Sequence, residues 1–201
     1  MYRLWKPIPP SPTPKSPAEA HTLQLIPRAA LTERLEWAIK YLEIRLGSYL
    51  GAYVEFGVYN GSSLLCMLEA LARAGNDTMK LYGFDSFEGL PPTAASEDGG
   101  VWQPGQFACP RPVAEQRLVA AGARLDRITL IEGWYRDTLA EGDVYGIERA
   151  SLVMVDSDTY SSAQQALRFV APLLTNPCVL IFDDWRLNDL DVKSMGVPCL
   201  P

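Results

Sequence analysis

Residues 52–63 read Ala52-Tyr53-Val54-Glu55-Phe56-Gly57-Val58-Tyr59-Asn60-Gly61-Ser62-Ser63. A short apolar run, Ala52–Val58, leads into two glycines four positions apart, and a helical pattern over Ser62–Ala74 follows. A buried strand turning sharply into a helix is the opening of an α/β unit. The glycines let the backbone turn tightly and approach a ligand closely. A purely structural turn would use them in the same way. The spacing is not the GxGxxG dinucleotide fingerprint, because the third glycine is missing, and no Gly-Lys-Ser/Thr follows to make a P-loop. Bound triphosphate or pyrophosphate is therefore disfavoured.

Outward from this unit the same alternation repeats. Apolar runs at Lys80–Phe84, Ile128–Ile131, Leu152–Val155 and Val179–Phe182 are interleaved with helical stretches at Val113–Ala121 and Ser161–Leu174. Upstream, Leu31, Leu35, Ala38, Ile39, Leu42 and Leu46 keep the rhythm of an amphipathic helix, with Gly47 as its stop. Strands alternating with helices predict right-handed βαβ units, hence a doubly wound, mainly parallel sheet covered on both faces. Pro91–Pro112, rich in Gly, Pro, Ser and Ala, reads as a long loop of the kind that often forms a lid or substrate loop. Residues 1–17 hold six prolines and predict an extended arm, so the organisation expected is an arm over 1–27 and one domain over 28–201.

Composition removes several kinds of chemistry. Eighteen basic residues against 24 acidic ones give a net charge of -6 with no basic cluster, a poor basis for holding nucleic acid or anionic lipid. No apolar run is long enough to span a membrane. The one histidine, His21, lies in the proline-rich arm, so Ser-His-Asp and Cys-His systems have no histidine within the domain. The four cysteines, Cys66, Cys109, Cys178 and Cys199, lack zinc-ligand spacing and read as free thiols suited to a reducing cytoplasm.

The predicted strand tips carry the chemistry. The second strand ends in Phe84-Asp85-Ser86-Phe87-Glu88-Gly89-Leu90-Pro91. An acid there is placed to accept hydrogen bonds from ribose hydroxyls, or else to cap its own turn. The third ends in Glu132-Gly133-Trp134, where the step offers an adenine a backbone edge and an aromatic wall, or where Trp134 is a core aromatic at the rim. The fourth and fifth end in Asp156-Ser157-Asp158 and Asp183-Asp184-Trp185. Parallel strands end on one edge, so these carboxylates should converge, which is unfavourable unless a cation or a proton compensates. Oxygen-only donors suit a hard divalent ion such as Mg²⁺, which could bind vicinal hydroxyls and lower the pKa of one. The alternative is helix capping, for which Asp158 before Thr159–Ser162 is the best placed.

Taken together, Glu55–Gly61, Gly83–Pro91, Glu132-Gly-Trp134 with Asp137-Thr-Leu139, Asp156-Ser-Asp158 and Asp183-Asp-Trp185 resemble the macrocin O-methyltransferase group of class I S-adenosylmethionine-dependent methyltransferases. That group includes sugar O-methyltransferases of antibiotic pathways. The resemblance implies that Glu55, Gly57, Tyr59, Gly61, Ser62 and Ser63 wrap the methionine part of S-adenosylmethionine. It implies that Asp85 and Ser86 hold the ribose, and that Gly133 and Trp134 lie by the adenine. Asp156, Asp183 and Asp184 would ligate magnesium, with Asp156 positioning or deprotonating the accepting hydroxyl. The partner expected is a small-molecule hydroxyl acceptor, a sugar or glycosylated natural product; homo-oligomerisation is left open.

Three departures from the family pattern stand out. Ser157 replaces the glycine of its usual Asp-Gly-Asp, and Thr159-Tyr160 stands where Leu-Tyr is common. The family sheet normally continues through another helix and an antiparallel hairpin, whereas Pro201 comes 17 residues after Asp184. A domain lacking the last strands of the usual seven is therefore expected. A second reading follows from this: a catalytically impaired methyltransferase fold acting through association at its open edge. An NAD-dependent oxidoreductase is opposed by both the glycine spacing and the aspartate clusters.

Overall fold

The computed structural model describes residues 27–97, 102–139 and 145–183. Five strands, β1 (Ala52–Phe56), β2 (Leu81–Asp85), β3 (Ile128–Glu132), β4 (Ala150–Val155) and β5 (Leu174–Phe182), form one sheet in the order β3-β2-β1-β4-β5. Every neighbouring pair is parallel. The order reverses between β1 and β4, and in such sheets the crevice outside the strand ends at the reversal is where ligands bind. The expected doubly wound parallel sheet is the one observed.

Strand periodicity divides the core between the two faces. Tyr53, Leu81, Leu152 and Met154 pack against α1 (Arg28–Leu46), α2 (Ser62–Ala74) and α3 (Arg111–Ala120), through Leu35, Ile39, Met67, Leu71 and Leu118. Val54, Phe56, Tyr82, Phe84, Val153 and Val155 face the other way, against α4 (Tyr160–Val170) through Ala166 and Val170. Fully burying a large apolar side chain is worth about 1.5–3 kcal/mol, so both faces contribute. Among the described residues, no helix is long and apolar enough to cross a membrane. Cys66, Cys109 and Cys178 are free thiols.

Several boundaries differ from the sequence reading. β1 stops at Phe56 because Gly57 takes φ +95° and leaves the extended region. The last helix ends at Val170, not Leu174; a 3₁₀ turn at Ala171–Leu173 holds Pro172, which has no N–H to continue the ladder. β5 consequently begins at Leu174 rather than Val179. The cap of α4 is Thr159, whose side chain accepts from the Ser162 N–H, whereas Asp158 sits in left-handed backbone at φ +54°. The arm residues 1–26 and residues 184–201 lie outside the described set, including Asp184, Trp185, Cys199 and His21.

Candidate active site

The parallel ladder runs one residue beyond each strand, and this brings the tips together. The Gly57 N–H donates to Phe84 O at 2.9 Å, Gly133 N–H to Asp85 O at 2.9 Å, and Asp156 N–H to Phe56 O at 2.8 Å. Asp183 N–H donates to Val155 O at 3.3 Å. A Cβ added to Gly57 would lie 1.7 Å from Asp156 O, so this glycine is required by the close approach of two backbones at the strand-order reversal.

These tips surround a cavity of about 730 Å³. Gly57, Tyr59, Ser62, Ser63, Asp85, Ser86, Gly133, Trp134, Asp156 and Asp183 line it. That size is normal for a site taking a small organic molecule. Asp184 falls outside the described residues. Two residues expected at the wall lie elsewhere. Gly61 starts α2 in left-handed backbone, φ +80°, with Leu118 behind it. Glu55 points from the strand into the α1/α2 side of the core and is fully buried.

Glu55 is satisfied there by Tyr53 Oη, which donates at 2.6 Å, and by Ser63 Oγ, which also donates to it. Burial pushes its carboxyl up to about 7. The Ser63 and Tyr53 hydrogen bonds oppose that rise, and the charges of Asp85 and Asp183 add to it. The Tyr135 hydroxyl is held well above its ordinary value by burial and by Asp85, Asp156, Glu55 and Asp158. The tips of β2, β4 and β5 thus bring carboxylates to one hollow, which Arg117 and Arg136 also line, and the acidic excess favours a cation.

Asp85 does structural work at the wall. Its Oδ2 accepts the Val58 and Tyr59 N–H groups, each at 2.7 Å, and its Oδ1 accepts Phe87 N–H at 2.6 Å. A carboxylate offers about four lone-pair sites, so roughly one stays available to a ligand hydroxyl. Both Tyr59 and Phe87 have positive φ, and the carboxylate holds these turns in place. Ser86 Oγ donates to Gly89 O at 2.8 Å and accepts from Glu88 N–H.

Residues not anticipated as site residues also line the cavity: Glu97, Phe107, Arg117, Tyr135 and Gln165, and Asn60 joins them from the Glu55–Ser63 segment. Arg117 and Gln165 come from the sides of α3 and α4. Glu97 reaches across from the turn at Ala94–Glu97 to the start of α4, accepting Ser161 N–H at 2.8 Å and Ser161 Oγ–H at 2.7 Å. Phe107 packs edge-on against Tyr59 at 6.0 Å, closing the loop over the β1–α2 turn. Burial pushes the Cys66 and Cys109 thiols up, which disfavours a thiolate nucleophile.

Among the described residues, no group of three or more His, Cys, Asp or Glu side chains is arranged to hold a metal ion. Asp156 and Asp183 share the cavity and offer only oxygen, the donor type that a hard cation takes.

Comparison with known proteins adds lineage to geometry. Residues 16–193 match the family described as Macrocin-O-methyltransferase (TylF). A curated relative from Streptomyces olivaceus, 8-demethyl-8-(2,3-dimethoxy-alpha-L-rhamnosyl)-tetracenomycin-C 4'-O-methyltransferase, is 27% identical over 183 residues. The match covers 86% of this chain and 65% of the relative, so the chain spans about two thirds of the relative's length. The O-methyltransferase NovP superposes with a TM-score of 0.64 at 21% identity, over 78% of this chain and 65% of NovP. CalS11, a calicheamicin methyltransferase, superposes with a TM-score of 0.61 at 23% identity, over 86% of this chain and 71% of CalS11.

Proposed function

The chain belongs to the macrocin O-methyltransferase family, and from that premise we propose that it transfers a methyl group from S-adenosylmethionine to a hydroxyl of a small molecule, a sugar or glycosylated natural product. One observation carries the reading: a single cavity at the strand-order reversal is walled by the tips of all five strands, with carboxylates on both sides of the reversal.

The residues present fit the cofactor. The acid-lined hollow suits a ligand that carries positive charge, and Trp134 offers a flat aromatic wall. In this reading Gly57, Tyr59, Ser62 and Ser63 hold the methionine part, with Glu55 fixing Ser63 from behind. Asp85 offers its remaining lone pair to the ribose beside Ser86, and Gly133 and Trp134 flank the adenine. S-adenosylmethionine, when bound, supplies a methyl group on a cationic sulfur that departs with the bonding electron pair as the C–O bond forms. Asp156 orients the accepting hydroxyl in line with that methyl group and takes its proton.

A divalent cation such as Mg²⁺ is a further part of the proposal. Asp156 and Asp183, with Asp184, would hold it, and it would lower the pKa of a bound hydroxyl. Of these three carboxylates, Asp156 and Asp183 lie among the described residues and line the cavity.

Calorimetric titration of the full chain with S-adenosylhomocysteine tests the cofactor assignment. Micromolar binding is expected, and Asp156→Asn should retain it while methyl transfer falls about 100-fold or more. Absence of binding heat from folded protein would overturn the proposal. Chelation by EDTA separates the metal part, because transfer undiminished after chelation removes the cation from the scheme.

A further inference from the structure

Ser157 stands between Asp156 and Asp158 at the tip of β4. Its Oγ is buried and has no hydrogen-bond partner among the described residues. Native structures rarely leave a buried hydroxyl in this state without a reason, because desolvation is uncompensated. The residue borders two hollows at once. One is the main cavity; the other is a smaller one of about 210 Å³, walled by Val155, Tyr160, Ala163 and Phe182. All of these belong to β4, β5 or α4. The groups assigned above to the cofactor belong to the tips of β1, β2 and β3, on the other side of the strand-order reversal. Ser157 therefore borders the half of the site left for the methyl acceptor.

We propose that Ser157 is a specificity-determining residue that receives a second hydroxyl of the acceptor, next to the one that Asp156 orients. The side chain gives up no hydrogen bond when it turns about χ1 into the cavity, because it has none to lose. The acceptor hydroxyl supplies the missing partner, and an acceptor lacking that hydroxyl leaves Ser157 unsatisfied. Two polar anchors in sequence, Asp156 and Ser157, then fix which hydroxyl of a polyol stands in line for transfer. The apolar smaller hollow takes the substituent beyond. This inference rests on the methyltransferase reading and deepens it.

The test measures kcat/KM for methyl α-L-rhamnopyranoside and its three mono-deoxy analogues, with the full chain and with Ser157→Ala and Ser157→Gly. The analogue that lacks the accepting hydroxyl has no oxygen to methylate there; of the other two, the wild-type chain should disfavour one by roughly tenfold. Ser157→Ala should lower kcat/KM for the rhamnoside by roughly tenfold and abolish the discrimination. Affinity for S-adenosylhomocysteine should be unchanged and Tm equal or higher, since the orphan hydroxyl is gone. Ser157→Gly should behave alike, which guards against a folding defect peculiar to one variant. Wild-type transfer with discrimination preserved in both variants would overturn the role of Ser157 alone. Failure of the wild-type chain to bind S-adenosylhomocysteine, or to methylate any of the four sugars, would overturn the underlying reading and this inference with it.

Discussion

Replacing Glu55 by glutamine is expected to flatten the dependence of stability on pH. In the folded chain the Glu55 carboxyl is raised from 4.5 to about 7, chiefly by burial. The native state therefore keeps a proton that the unfolded chain gives up. The stability this contributes is fully present below pH 4.5 and is lost as the pH rises through 7. Glutamine imitates the protonated acid: its carbonyl can accept from one hydroxyl while its amide donates to the other. The Tyr53 and Ser63 hydroxyls can rotate to suit. Linkage puts the wild-type loss relative to Glu55→Gln at about 2.5 kcal/mol between roughly pH 5 and pH 8.5. For a chain of this size that is a relative Tm change of roughly 5–10 °C. Thermal melts of both proteins across this range, with no cofactor present, measure it. Parallel Tm–pH curves would refute the reasoning, because they would mean that hydrogen bonds from Ser63 and Tyr53 keep Glu55 ionised despite its burial.

Gly57→Ala should cost about 4 kcal/mol, since its Cβ would meet a backbone oxygen at 1.7 Å while φ stays at +95°. Gly61→Ala should cost about 1 kcal/mol, because it meets only the Leu118 side chain at 3.4 Å, and denaturant unfolding that ranks the two equally would contradict this account. Glu97→Ala should release the loop from α4 and remove about 1 kcal/mol of helix capping. It should raise the acceptor KM several-fold without changing affinity for S-adenosylhomocysteine; an unchanged KM would show that the loop needs no such tie.

What could be read from the chain was whatever depends on backbone course; what could not was whatever depends on side-chain depth. The helix start at Ser62 and the run of strand tips follow from periodicity and glycine placement, and they put Gly57, Asp85, Gly133, Asp156 and Asp183 on one edge in any doubly wound sheet. Glu55 shows the limit. It lies two residues from Gly57 and looks like a member of the same loop, yet strand alternation turns it into the core, where Ser63 and Tyr53 satisfy it. Asp85 is legible as an acid at a useful tip, but nothing local shows that three backbone amides would already claim most of its lone pairs. Two of those amides lie 26 and 27 residues away along the chain. Arg117 and Gln165 reach the cavity from helix flanks, where a polar residue looks the same whether it faces solvent or a ligand. Residues 174–178 do not read as strand on their own, because Asn176-Pro177 interrupts the apolar run before Val179. β5 absorbs them through a register shift against β4, where Thr175 Oγ1 bonds to Ser151 Oγ at 2.9 Å. In each case the missing information was the identity of a distant partner. Ser157 is visible in the sequence as a departure from the family's glycine, but only in three dimensions does its hydroxyl prove to have no partner among the described residues, which marks the place a ligand would supply one.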